Sequence, residues 1–177
     1  KTSPEAMKDI TSYKAIKVFS AYGVLSPVEV RSRYHVRLER YIKEVDIEAA
    51  TLCGMVQSQV IPAALSYQKS VAKALKSAMD VIGDAKELKP QKELLKTVAG
   101  LVSDTQELAC ELKKTLDKAN AINGEEKKAV FICAEVRKAM GSLREKVDSL
   151  EPYVDNECWP IPKYWEMLFI KIGRAHV

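Results

Sequence analysis

The stretch Leu116-Asp117-Lys118-Ala119-Asn120-Ala121-Ile122-Asn123-Gly124-Glu125-Glu126-Lys127-Lys128-Ala129 decides the fold. Asn123-Gly124 is the sharpest turn signal in the chain, because glycine enters backbone regions closed to other residues. Before it, Leu94, Val98, Leu101, Thr105, Leu108, Leu112, Thr115 and Ala119 advance alternately by four and three. Leu95, Val102, Ala109 and Leu116 widen that stripe on one side. After it, Ala129, Cys133, Val136, Met140, Leu143, Val147 and Leu150 repeat the alternation. The spacing predicts helices from about Pro90 to Ala121 and from about Glu125 to Leu150. Two such helices joined by a tight turn fold back as an antiparallel hairpin.

Moving toward the N-terminus, Gly83-Asp84-Ala85 marks a break. Ahead of it, Leu52, Val56, Val60, Ala63, Tyr67, Val71, Ala74, Ala78 and Val81 form a further stripe, predicting a helix over 46–82. At 1.5 Å per residue this helix runs roughly 55 Å, too long for an ordinary buried helix. Pro62 lies inside it and is expected to kink it, since proline removes a donor and clashes with the preceding turn. Ser26-Pro27-Val28-Glu29 reads as a capping box, opening a helix with Val30, Tyr34, Leu38, Tyr41 and Val45 on one face. Ser3-Pro4-Glu5 starts a short helix. Thr11 or Ser12 caps another, which carries Ala15, Ile16, Phe19 and Tyr22 and stops at Gly23.

The C-terminal stretch changes character. Glu151-Pro152-Tyr153 ends the last long helix, and Cys158-Trp159-Pro160-Ile161-Pro162 cannot be helical. Tyr164, Trp165, Met167, Leu168 and Phe169 form an apolar knot expected to dock on a neighbour. The fold class is therefore all-α: short linking helices over 1–45, a long-helix, coiled-coil-like bundle over 46–151, and a Trp/Pro-rich docking tail over 152–171.

Composition narrows the classes of function. With 177 residues, 47% hydrophobic and 29% charged, the chain is neither disordered nor short of a core. Seven Gly and seven Pro are too few for a turn-dense β-sandwich or barrel. No apolar run reaches the roughly 18 residues needed to cross a bilayer. A net charge of +4 is too small an excess to indicate a nucleic-acid binder.

The two ends carry expectations of their own. A start at Lys1 with no signal pattern is expected of a piece of a longer protein. Ile172-Gly173-Arg174-Ala175-His176-Val177 is what ATC GGA AGA GCA CAC GTC encodes, a string that resembles a sequencing adapter read in frame. Residues 172–177 are accordingly expected to be non-native and are excluded from the fold, which leaves His35 as the only native histidine.

The search for chemistry returns no catalytic, cofactor-binding or metal-ligating residue. No glycine belongs to a phosphate-cradling loop, and neither H-E-x-x-H nor G-x-S-x-G occurs. Cys53, Cys110, Cys133 and Cys158 are scattered, without the local pairing that zinc needs. The first three fall on or beside apolar stripes and read as reduced core thiols of a cytosolic protein. Glu107 and Glu111 interleave with Lys113 and Lys114, the pattern of a solvated helix face rather than a carboxylate pair. Five basic residues among aromatics between Arg31 and Lys43 raise nucleic-acid contact as a possibility. However, Tyr34, Leu38 and Tyr41 share the apolar face, so packing ranks first, an inter-subunit salt-bridge face second and nucleic acid third.

Several segments, in their order, carry a resemblance. They are Tyr13-Lys14-Ala15-Ile16-Lys17-Val18-Phe19, Gly23-Val24-Leu25-Ser26, Glu29-Val30-Arg31-Ser32-Arg33-Tyr34 and Ile47-Glu48-Ala49-Ala50-Thr51-Leu52. Val60-Ile61-Pro62-Ala63-Ala64-Leu65-Ser66-Tyr67 follows, then Trp159-Pro160-Ile161-Pro162-Lys163-Tyr164 with Met167-Leu168-Phe169. Together these resemble the C-terminal region of the type III glutamine synthetases. The resemblance covers about Thr2 to Lys171 and is most specific at its ends. It implies a cytoplasmic parent that ligates glutamate and ammonia with ATP and Mg or Mn ions. It also implies that the reactive groups lie in a barrel upstream of Lys1, with that barrel and neighbouring identical subunits as partners, and no nucleic acid or membrane. The alternative reading is a stand-alone helical coiled-coil interaction module without catalytic activity.

Overall fold

The computed structural model describes residues 1–168, and no strand occurs among them. The elements in order are α1 (Ser3–Asp9), α2 (Tyr13–Ala21), α3 (Pro27–Met55), a π-helical turn (Val56–Val60), α4 (Ile61–Ile82), a 3-10 turn (Lys86–Leu88) and α5 (Lys89–Asn120). There follow α6 (Glu125–Phe131), a second π-helical turn (Ile132–Val136), α7 (Arg137–Leu150) and the short α8 (Tyr164–Met167). Phe169, the rest of the docking tail and the adapter-like residues 172–177 lie outside the described residues.

Local sequence sets the helix ends. Thr2 and Glu5 cap α1, and the Ser12 hydroxyl accepts from the Ala15 N–H to cap α2. The capping box at α3 forms in both directions: the Ser26 N–H donates to Glu29 at 2.8 Å, and the Glu29 N–H donates to the Ser26 hydroxyl at 3.3 Å. Gly83, at φ 71, ends α4, and Gly124, at φ 95, leads into α6. Both positions lie in the left-handed region, where a side chain would be strained.

Pro62 acts through the turn before it. The Ile61 N–H bonds to the Val56 carbonyl, five residues back, so the backbone widens just where the proline ring would clash with an α-helical turn. The widening has a second effect. The buried positions Val30, Tyr34, Leu38, Ile42, Val45, Ala49, Cys53, Val56, Val60 and Ala64 advance mostly by fours. A step of four outruns the 3.6 residues of an α-helical turn, so the stripe drifts around the helix until a wider turn resets it.

The chain forms two compact units, each described by itself. The first comprises Lys1–Gly54 and Leu108–Leu143. Within it the Cys53 thiol faces the Ala109 carbonyl at 3.9 Å, and Asn120 donates to Asp46 at 3.2 Å. As one residue number rises the other falls, so α3 and this part of α5 run antiparallel. Leu38, Leu112, Ile132 and Leu143 are fully buried in its core.

The second unit comprises Met55–Glu107 and the residues from Arg144 onward. Its core holds Val60, Ala64, Leu75, Leu88, Val98, Val102, Leu150 and Val154. Thr105 is also fully buried there, and its hydroxyl donates to the Leu101 carbonyl at 2.7 Å, which satisfies it inside its own helix. Lys146 pairs with Asp104 at 2.8 Å in this unit, and Lys128 donates to Asn120 at 2.7 Å in the first. The Lys128–Asn120 pair brackets the Asn123-Gly124 turn.

Several expected positions differ. Ile42 takes the buried place on α3, while Tyr41 is half-buried. Tyr22 and Val81, both close to helix ends, are 80% and 84% exposed rather than on packed faces. Cys110 is exposed, displaced from the stripe by Ala109, and is no core thiol; Cys53 alone is buried.

Candidate functional site

Three places bring side chains together. The first lies in the first unit, where α1, α3 and α6 meet. Glu126, at the start of α6, accepts from Lys8 of α1 at 3.0 Å and from the Tyr34 hydroxyl of α3 at 3.0 Å. Next to it, His35 and Glu125 approach to 3.2 Å. Burial, followed by the bond to Glu126, pushes the Tyr34 phenol up to about 12. Lys8, then Tyr34, hold the Glu126 carboxyl below the usual glutamate range. Every polar group of this cluster is thus engaged by a neighbour. Its chemistry is that of a clasp between helices.

A second place, also in the first unit, is an open groove of 860 Å³ between the end of α5 and α6. Ile122, Val130 and Phe131 line it together with Glu111, Lys118 and Glu135. The one hydroxyl along it, Thr115, donates back to the Glu111 carbonyl at 2.9 Å. The lining offers a contact surface without a paired nucleophile and base.

The third place is the tail of the second unit. Trp159 and Lys163 are both buried, and the Lys163 ammonium donates to the Val154 carbonyl at 2.5 Å. The Tyr164 hydroxyl accepts from Arg144 at 2.6 Å and donates to Asp148 at 3.2 Å. The Tyr164 N–H donates to Glu151 at 3.0 Å. Trp159 is therefore packed inside this unit. Tyr164, Trp165, Met167 and Leu168 remain 44%, 52%, 46% and 79% exposed.

The basic run between Arg31 and Lys43 lies wholly on α3. Tyr34 and Leu38 point inward, while Arg40 pairs with Glu44 and Lys43 with Glu39, both at 2.7 Å. Tyr34 is thus buried in the unit and Tyr41 half-buried, rather than set out as stacking platforms. Among the described residues no three His, Cys, Asp or Glu side chains come together to hold a metal ion. No helix of the described part is long and apolar enough to cross a membrane.

Sequence reasoning missed the clasp and the buried lysine. The clasp joins residues more than ninety positions apart, and the burial of Lys163 depends on a carbonyl supplied by the turn at Val154. Neither leaves a local motif.

Comparison with known proteins bears on what these surfaces serve. Residues 1–79 match the family described as the glutamine synthetase C-terminal domain. The type-3 glutamine synthetase of Dictyostelium discoideum is 35% identical over 96% of this chain. The chain corresponds to the C-terminal region of the type III glutamine synthetases. The glutamine synthetases of Bacteroides fragilis (strain YCH46) and Butyrivibrio fibrisolvens are 29% and 28% identical over 95% and 96% of it. In each comparison the chain spans 24% of the relative's length. The part of the family represented is therefore the helical C-terminal region, and the match extends past residue 79 through the hairpin and the tail.

Proposed function

We propose that this region is the structural, C-terminal part of a cytoplasmic glutamate–ammonia ligase and is inactive by itself. The observation that carries the reading is the 35% identity to a type-3 glutamine synthetase across nearly the whole chain. In such a ligase ATP phosphorylates the γ-carboxylate of glutamate, and ammonia then displaces the phosphate. The groups that bind ATP, glutamate and Mg or Mn ions belong to the catalytic portion of the polypeptide, and residues 1–168 contribute none of them.

The role left to the helices is packing, against that catalytic portion and against identical subunits. Residues 1–45 link to it, 46–151 form the bundle, and 152–171 dock. The exposed Tyr164, Trp165, Met167 and Leu168 support this assignment, because a free-standing module would keep so apolar an end covered.

The experiment is an assay of ADP formation with glutamate, ammonium and Mg or Mn ions. The purified 177-residue chain is expected to give none, and the full-length polypeptide that carries it to be active. Metal-dependent turnover by the 177 residues alone would overturn the proposal.

A further inference from the structure

Helix α2 is only partly packed. It has nine residues, of which Ala15, Ile16 and Phe19 are half-buried and none fully. A helix this short does not persist in water without tertiary packing. Yet its residues are not those of a solvated surface: Tyr13 is 79% exposed and Val18 55%, and beyond its end Tyr22, Val24 and Val28 are 80%, 63% and 72% exposed. Single exposed apolar residues are normal on any protein, but five within sixteen positions are a concentration. The charge is one-sided too. Lys14, Lys17 and Arg31 are exposed and belong to no ion pair among the described residues, and α2 contains no acidic residue.

We propose that α2 and the connection through Val28 form a docking surface for the catalytic portion that precedes this region in its relatives, and that the facing surface is apolar with an acidic rim. The inference rests on the ligase reading above. Length and position single out this occupant. The relatives are about four times as long as the match, and what matches is a C-terminal domain, so most of their remaining chain comes before it. A partner in the same polypeptide docks at high effective concentration, so a modest surface is enough to hold it. The unpaired Lys14, Lys17 and Arg31 then find carboxylates on the facing surface, and the tyrosine rings are buried with them.

Amide hydrogen exchange tests the proposal in two proteins, the 177-residue chain and the full-length polypeptide that carries it. In the 177-residue chain α2 is expected to exchange nearly unprotected at every concentration while the core of α3 stays protected. In the full-length polypeptide the protection of α2 is expected to rise by about 100-fold or more. The triple variant Tyr13→Ser, Val18→Ser, Tyr22→Ser should abolish that rise, and Lys14→Glu with Lys17→Glu should reduce it more at low salt than at high salt. Full protection of α2 in the dilute 177-residue chain would overturn the proposal. So would protection that appears only as that chain is concentrated, which would make a second copy the occupant, and so would an unprotected α2 in the full-length polypeptide. ADP formation by the same full-length sample separates the two ideas. Activity with an unprotected α2 removes the docking surface alone, whereas protection without activity removes the ligase reading alone.

Discussion

The Tyr34 hydroxyl donates a 3.0 Å hydrogen bond to Glu126, so a ring buried on α3 fixes the start of α6. Lys8 holds the same carboxylate from α1. Tyr34→Phe keeps the ring and removes the bond, and Glu126 keeps Lys8 and solvent. The expected loss is about 1 kcal/mol in urea unfolding at neutral pH. A loss above about 3 kcal/mol would mean that the ring had moved and the core with it.

Acid should act through the same carboxylate. Because the folded Glu126 is held below its ordinary range, its contribution is complete above the unfolded glutamate pKa. That contribution is lost as pH falls through the depressed folded value. Unfolding curves between pH 7 and pH 3 should therefore decline less steeply for Glu126→Gln than for the parent chain. Identical slopes would remove Glu126 from the acid response.

Thiol labelling should order the cysteines. Cys110 is exposed and should react first under native conditions, with the half-buried Cys133 and Cys158 slower. Cys53 is buried, and burial pushes its thiol up, so it should react only on unfolding. Fast labelling of Cys53 in the folded protein would contradict the packing of α3 against Ala109.

These side chains show what sequence can and cannot tell. Val98, Thr105, Leu112 and Ala119 were readable as a buried row because helical periodicity places them on one side. Periodicity says which residues share a side, not whether a neighbour lies there, so Tyr22 and Val81 fit a stripe and still face solvent. Tyr41 and Ile42 lie at adjacent angles, and only packing decides which turns in. The resemblance in sequence named the family where the residues themselves offered no site. The clasp at Glu126 and the burial of Lys163 are products of tertiary structure and have no local signature.

Lys163→Met should test the tail. The substitution keeps an apolar stem of similar length and leaves the Val154 carbonyl without its ammonium donor. The expected cost is about 1–3 kcal/mol, the range for a buried polar group left unpaired. Trp159 fluorescence reports it, since that ring is buried nearby in the same tail, and easier quenching by iodide should accompany the loss. An unchanged melting curve would show that the lysine stem, not its charge, holds the tail.

Pro62→Ala should raise the thermal midpoint. It restores a backbone donor and removes the ring from the helix interior, a gain of up to about 3 kcal/mol. A lower midpoint would mean that the proline is needed to keep Val60 and Ala64 turned inward.

The wide turn at Val56–Val60 also constrains how this chain can change length. A deletion of one residue there would close the helix into an unbroken α-spiral and set the Pro62 ring against the carbonyl four residues back. It would also rotate the residues that follow in the helix by about 100°, carrying Leu75 toward solvent. Gaps between family members should therefore collect in the connections at Gly83 and Asn123 and spare this turn, even though it is the least regular backbone in the long helix.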